Sequence, residues 1–166
     1  MNPPIVSIIG RSGSGKTTLV SRLVPELKDK GYRVCTIKHN SQGFEIDHPG
    51  KDTWKHREAG ADVVMISSAS RLAIMETVKE EVPLDSLVEK AGGVDLVITE
   101  GYKRENKPKI EVVRGGYPLL SRENEENVLA YAGEVEGMVS PKVPCFNWDQ
   151  VPELAELIEK KMIGGV

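Results

Sequence analysis

The stretch that decides the fold covers residues 5–17 and reads Ile5-Val6-Ser7-Ile8-Ile9-Gly10-Arg11-Ser12-Gly13-Ser14-Gly15-Lys16-Thr17. Its first five residues form a short apolar run, which predicts a buried strand that ends at Gly10. Residues 10–17 match the pattern G-x-x-x-x-G-K-[ST] at every position. Leucines at helical spacing follow over residues 16–30, so the glycine-rich segment connects a strand to a helix. That context is typical of a phosphate-binding loop.

Each part of the pattern meets a requirement of phosphate binding. A triphosphate needs backbone N–H groups at close range, and a loop with few side chains that leads into a helix N-terminus supplies them. We expect Lys16 to reach the β- and γ-phosphate oxygens and the Thr17 hydroxyl to complete a Mg²⁺ shell. The predicted nucleotide-binding residues are Gly10, Arg11, Ser12, Gly13, Ser14, Gly15, Lys16, Thr17 and Thr18.

A phosphate loop also predicts an acidic residue at the carboxyl end of a neighbouring strand, because ligands bind at that edge of open α/β sheets. The apolar run over residues 94–99 is the candidate strand. Asp95 stands at its start and therefore at the wrong edge, whereas Glu100 follows its last apolar residues. We predict that Glu100 binds the metal or orients a water molecule, and a solvent-facing turn residue is the alternative.

The polar loop over residues 40–53 is long enough to suggest a functional role. It carries Asp47, Asp52 and Thr53, which can hold Mg²⁺ through water or position an attacking water. The predicted catalytic residues are Lys16, Glu100 and, from this loop, Asp52. The predicted metal-binding residues are Thr17, Glu100 and Asp52. The alternative for Asp52 is a helix N-cap.

The remaining pattern alternates helices and strands around a hairpin. Strands are predicted over residues 32–39, 109–113 and 127–132, a hairpin over 62–78, and helices over 83–91 and 151–162. A short helix is expected to start at residue 52 or 53 and to end before Gly60. We therefore expect an α/β, P-loop NTPase-like three-layer sandwich with a mixed, mainly parallel sheet and an inserted β-hairpin. Residues 1–166 are predicted to form a single nucleotide-binding domain.

Composition excludes several other functions. The formal net charge is −3 and no apolar run approaches the length of a spanning helix, which argues against nucleic-acid and membrane partners. The cysteines, Cys35 and Cys145, stand far apart without metal-binding spacing. We expect a reduced cytoplasmic protein.

Further motifs carry a resemblance to a known family. In order along the chain, they are Ile37-Lys38-His39, Asp47-His48-Pro49-Gly50-Lys51-Asp52-Thr53, Arg57-Glu58-Ala59-Gly60-Ala61, Thr99-Glu100-Gly101-Tyr102-Lys103 and Pro108-Lys109-Ile110-Glu111-Val112. With the phosphate loop, they make the chain resemble the molybdopterin-guanine dinucleotide biosynthesis adapter family (MobB).

The resemblance implies a GTP-binding protein with slow Mg²⁺-dependent hydrolysis. It would assist the molybdenum cofactor guanylyltransferase, which joins GMP to molybdopterin, and it would form a homodimer. Carried over by position, Gly13, Gly15, Lys16 and Thr17 would bind phosphate and Mg²⁺, with Glu100 and Asp52 as acidic partners. The hairpin region 62–78 is the predicted dimer interface. A late Ser-Asp turn of the family appears here as Ser140-Pro141-Lys142.

Two other functions fit the same loop. No Asn/Thr-Lys-x-Asp guanine motif is present, so the residues do not choose between GTP and ATP. A small-molecule kinase that uses ATP is the first alternative, although the arginines are scattered and predict no lid. The second alternative is a binding module that does not hydrolyse its nucleotide.

Overall fold

The structure is a computed structural model that describes residues 2–121, 126–138 and 142–164. The chain forms two compact units: residues up to His39 together with those from Val88 onward form the first, and Asn40–Leu87 form the second. The expectation of a single nucleotide-binding domain over residues 1–166 stays a prediction. Within the part of the chain that is described, no helix combines the length and the apolar character needed to cross a bilayer.

The elements follow the predicted order closely. They are β1 Ile5–Gly10, α1 Lys16–Asp29, β2 Val34–Lys38, α2 Asp52–Glu58, β3 Val63–Ser67, β4 Leu72–Glu76, α3 Leu84–Lys90, β5 Leu96–Glu100, β6 Lys109–Val113, β7 Val128–Gly133, β8 Cys145–Phe146 and α4 Val151–Ile158, followed by a π-helical turn over Glu159–Ile163. Two differences stand out. The strand β8 was not predicted, because two residues carry no periodic signal, and the closing helix changes to π geometry after Ile158.

The main sheet lies in the first unit and has the strand order β2-β5-β1-β6-β7-β8. All five of its strand pairings are parallel, while β3 and β4 form a separate antiparallel hairpin in the second unit. This confirms the predicted α/β fold with a mainly parallel sheet and an inserted hairpin. Because the six strands run in one direction, their carboxyl ends meet at a single edge.

One face of the main sheet packs on two helices. Alternate residues of β1 and β5, such as Ile8 and Ile98, are buried against a helical layer that includes Leu23 of α1 and Leu154 of α4. These four side chains expose none of their surface, and each such burial stabilises the fold by about 1.5–3 kcal/mol. This packing fixes the junction between β1 and α1.

The opposite face of the same strands is more polar. The Thr99 hydroxyl donates to the Ser7 hydroxyl at 2.9 Å, and both residues are fully buried. Glu111 of β6 is 3% exposed, and its carboxylate accepts hydrogen bonds from the Leu120 and Ser121 amides and from the Ser121 hydroxyl. Glu111 therefore holds the segment of residues 114–121, which we call the strap, against the sheet.

Candidate phosphate-binding site

The glycine-rich loop joins the carboxyl end of β1 to the first residue of α1, as the sequence predicted. Gly10 and Gly15 have φ angles of +151° and +98°, which side chains rarely adopt. A Cβ atom on Gly10 would also lie 2.8 Å from the Val112 carbonyl oxygen, and one on Gly15 would lie 2.8 Å from the Trp148 ring. Glycine is therefore required at both positions for the loop to keep this shape.

Lys16 lies across its own loop. Its Nζ donates to the carbonyl oxygens of Gly10 at 3.1 Å and Arg11 at 2.8 Å. Burial lowers the pKa of Lys16 and Lys38 lowers it further, while the Glu100 carboxylate acts in the opposite direction. Among the described residues, the hydrogen-bond acceptors of the ammonium are neutral carbonyls, and an anionic oxygen would be a stronger partner.

Thr17 and Glu100 meet at this edge of the sheet. The Thr17 hydroxyl lies 2.9 Å from each Glu100 carboxylate oxygen and donates to them. Their proximity follows from the sheet, because β5 is the parallel neighbour of β1 and Ile8 pairs in register with Glu100. The structure thus brings together the loop hydroxyl and the carboxylate that the sequence placed in one site.

A second cation reaches the same carboxylate from the other side of β5. Lys38, the last residue of β2, places its Nζ 3.3 Å from Glu100 Oε1. The Glu100 side chain is only 14% exposed, whereas that of Lys38 is 62% exposed. The next residue, His39, contacts the Tyr102 ring with a centroid separation of 4.9 Å. The His39 amide also donates to the Glu100 carbonyl at 3.0 Å, so the last residue of β2 and the residue after it both lie beside Glu100.

Two arginines connect the loop to the strap. The Arg114 Nη1 donates to the Gly13 carbonyl at 3.1 Å, and the Arg11 Nε donates to the Pro118 carbonyl at 3.2 Å. The buried Glu111 carboxylate holds the other end of the strap through Ser121. The two arginine contacts therefore connect the phosphate loop to a segment that is itself fixed on the sheet. No sequence signal marks Arg114, because it belongs to no motif and lies about a hundred residues from the loop that it contacts.

Trp148 covers the start of α1. Its ring packs on Gly15, and Arg22 holds it by stacking at 5.4 Å and by donating to its carbonyl at 3.1 Å. The short strand β8 brings Trp148 to this position. Trp148 therefore packs against the phosphate loop itself.

The other predicted loop residues are more varied. Ser12 and Thr18 are exposed, while Ser14 is 5% exposed. Within residues 2–121, 126–138 and 142–164, the Ser14 hydroxyl has no hydrogen-bond partner. A buried unpaired hydroxyl costs about 1–3 kcal/mol, so the loop holds one polar group that a ligand or water can satisfy.

Asp52 belongs to the second unit. It is the first residue of α2 rather than its N-cap, which is Lys51, and its carboxylate is 91% exposed and 3.6 Å from Lys55. The N-cap alternative for Asp52 is therefore wrong, while its metal-binding role stays a prediction. Asp47 is held by hydrogen bonds within the loop, because its Oδ1 accepts from the Thr53 hydroxyl and the His48 amide, both at 2.9 Å.

Ser140 and Pro141 of the segment that replaces the family's late turn lie outside the described residues.

A glycine-rich loop that leads from β1 into α1 at the carboxyl edge of a parallel sheet, with an acidic residue on the adjacent strand, defines a P-loop α/β protein. The model of the family "MobB: Molybdopterin guanine dinucleotide synthesis protein B" matches residues 5–134. The chain belongs to the MobB family.

Individual relatives agree with this assignment. The molybdopterin-guanine dinucleotide biosynthesis adapter protein of Haemophilus influenzae is 37% identical over 94% of this chain and 88% of its own. The adapter protein of the same name from Escherichia coli is 35% identical over 96% and 93%. A crystal structure of molybdopterin-guanine biosynthesis protein B superposes with a TM-score of 0.77 at 34% identity, over 95% of this chain and 98% of that one.

Proposed function

We propose that this chain is a GTP-binding adapter with weak GTPase activity, and that it assists the conversion of molybdopterin to its guanine dinucleotide form. Membership of the MobB family supports the pathway. The observation that carries the nucleotide-binding part is the meeting of Lys16, Thr17 and Glu100 at one edge of a parallel sheet.

The loop residues divide the work of binding a triphosphate. Backbone amides of residues 10–18 surround the phosphates, since the glycines permit close approach and α1 begins at Lys16. Lys16 exchanges the neutral carbonyls of Gly10 and Arg11 for phosphate oxygens. The buried Ser14 hydroxyl gains a partner in the same step.

The donor atoms at this site suit Mg²⁺, which prefers oxygen ligands and keeps several waters when it binds beside phosphates. Thr17 and Glu100 would hold it, because their oxygens already lie 2.9 Å apart. When bound, the ion supplies charge neutralisation for the phosphates. Asp52 is proposed as a further ligand or water-positioning residue from its place in the family motif.

Slow hydrolysis fits the arrangement of the cations. Fast phosphoryl transfer commonly uses an arginine that stabilises charge in the transition state. Here the guanidinium groups of Arg11 and Arg114 donate to main-chain carbonyls of the strap and of the loop. In this arrangement they hold the shape of the loop, which supports the proposal of slow turnover.

The hairpin supports a homodimer. Val63, Met65, Leu72 and Ile74 are 45–65% exposed, and the register places Met65 directly opposite Ile74 on one face. An isolated two-stranded hairpin is at best marginally stable in water, and contiguous exposed apolar side chains mark interaction surfaces. We propose that a second copy of the chain covers this face.

The proposed partners are the molybdenum cofactor guanylyltransferase and molybdopterin, in the cytoplasm, with no nucleic acid and no membrane. The pathway partners come from the family, and the net charge of −3 supports the absence of a nucleic-acid role.

A competition titration between GTP and ATP with Mg²⁺ tests the proposal. We expect a preference for GTP of about tenfold or more, which corresponds to about 1.4 kcal/mol. Equal binding, or a preference for ATP, would contradict the GTP assignment. Formation of a phosphorylated small molecule from ATP would establish the kinase alternative instead.

A further inference from the structure

A cavity of about 550 Å³ lies in the first unit, on the polar face of the main sheet. One wall is the connection from β5 to β6, whose last residue, Pro108, accepts a hydrogen bond from the Ser7 amide of β1 at 2.9 Å. The strap supplies another wall through Leu120 and Ser121, and Ile9 also lines the space. The volume falls within the range of about 300–1,000 Å³ that is usual for small-molecule sites.

The charge of the cavity opposes that of the whole chain. Among the described residues that line it, Lys103, Arg104 and Lys109 are basic and Glu105 is acidic, although the chain as a whole carries −3. Over the described ranges, neither Lys103 nor Arg104 has a hydrogen-bond or ion-pair partner. Two unpaired cations at a concave site attract an anion, since the local potential adds to what each provides alone.

The walls of the cavity are held in place before any ligand arrives. The Lys109 Nζ donates to the carbonyl oxygens of Glu105 and Lys107, which ties down the β5–β6 connection. The Asn127 side-chain Nδ2 donates to the Asn106 Oδ1 at 2.6 Å, and Ser121 is held by hydrogen bonds to Glu111. A site with prearranged walls loses less conformational entropy when it binds.

The cavity is a neighbour of the phosphate loop but distinct from it. Ile9 is followed directly by Gly10, and Lys103 stands three residues after Glu100. The strap touches both sites, because it lines the cavity with Leu120 and contacts Arg11 through Pro118. None of the lining residues belongs to the phosphate loop itself.

We propose that this cavity is a second ligand site, which takes the phosphate monoester of a small heterocycle. Lys103 and Arg104 bind the phosphate, with the third N–H of Lys109 available to it, and Ile9 and Leu120 contact the ring. The choice of a pterin ring for the first probe rests on the proposed function, whereas the phosphate specificity rests on the cavity alone.

The test uses the full chain with GTP and Mg²⁺ at saturating concentration, so that the phosphate loop is occupied. The probes are the phosphate ester of 6-hydroxymethylpterin, the same pterin without phosphate, and GMP. Binding of the pterins is followed by their fluorescence and binding of GMP by calorimetry. We expect saturable binding of at least one phosphate ester. We expect the unphosphorylated pterin to bind at least about tenfold more weakly than its phosphate ester, because it lacks the charged hydrogen bonds of the phosphate.

Arg104→Ala is the test variant and Lys161→Ala the control, because both remove one exposed cation and only the first lies in the cavity. We expect Arg104→Ala to raise the Kd of the phosphate ester about tenfold and Lys161→Ala to leave it unchanged. Absence of saturable binding, equal binding by both variants, or displacement of the ester by further GTP would each overturn the proposal. Comparing the affinities of the pterin ester and of GMP shows which of the two classes of phosphate ester the cavity binds.

Failure of this proposal is distinguishable from failure of the proposed function. Lys16→Ala should lose GTP but keep the phosphate ester, while Arg104→Ala should do the opposite. If only the GTP result holds, the adapter function stands without a second site; if only the ester result holds, the cavity stands without the GTP assignment.

Discussion

The β1–α1 segment around the phosphate loop and the β3–β4 hairpin each contain apolar residues on both sides of a turn, but those residues differ in burial. β1 is buried along most of its length between two parallel neighbours, and α1 buries Leu19, Leu23 and Leu27 behind the loop. Among the described residues, the strands of the hairpin pair only with each other, and Met65, Leu72 and Ile74 are more than half exposed. The apolar side chains of the first region are buried by its own strands and helices, whereas those of the hairpin are exposed, and we propose that a second copy of the chain covers them.

Lys16→Ala, in the first region, is the substitution with the largest expected effect. Among the described residues, its ammonium donates to loop carbonyls only. We therefore expect the fold to survive while GTP affinity falls about hundredfold, a loss of about 3 kcal/mol of charged hydrogen bonding. The measurements are a GTP titration and a thermal unfolding curve, with Lys161→Ala as the control. Unchanged affinity in a folded variant would sink the phosphate-loop assignment.

Ile74→Asp tests whether the exposed apolar face of the hairpin is the dimer interface. A carboxylate in the centre of the exposed apolar face would have to lose its water in the dimer, and we expect the dimer Kd to rise about thirtyfold or more, for a cost of about 2 kcal/mol. Sedimentation analysis over a concentration series measures it. Tyr117→Asp replaces a comparably exposed apolar residue of the first unit and should leave the dimer intact. A monomeric wild-type protein at high concentration would refute the proposal.

Glu100→Gln asks whether the acidic residue acts through charge. The amide keeps a bond to Thr17 but has no negative charge with which to hold Mg²⁺, so we expect GTP affinity with Mg²⁺ to fall about tenfold. Affinity measured with a chelator present should change little. Asp95→Asn, at the opposite end of the strand, is the matched control, because its carboxylate accepts from the Arg33 amide away from the loop. An equal loss with and without Mg²⁺ would show a structural role instead.

Arg114→Ala probes the brace between loop and strap and has the smallest expected effect. The substitution removes one hydrogen bond to the Gly13 carbonyl, which contributes about 1 kcal/mol to the shape of the loop. We therefore expect GTP affinity to fall about fivefold. Calorimetry with GTP measures it, and Arg33→Ala serves as an exposed arginine control in the same unit. A loss as large as that of Lys16→Ala would mean that Arg114 contacts phosphate directly.

Local signals were sufficient for most of the fold. The strand and helix around the phosphate loop, the hairpin and the strand β6 were all predicted, because each carries a period of apolar residues or a turn signal that does not depend on distant contacts. The position of Glu100 was also predictable, since the end of an apolar strand before a glycine marks the sheet edge. The strand β8 was missed because two residues show no period.

By itself, the sequence determined the phosphate loop, the direction of its strand and the acidic residue at the end of β5, since backbone conformation and strand burial are encoded by adjacent residues. Only the tertiary structure decided that Arg114 and Trp148 contact that loop and that Lys103, Arg104 and Lys109 line one cavity. These contacts join segments far apart in the chain, and strand order and register, rather than local preference, set which side chains meet.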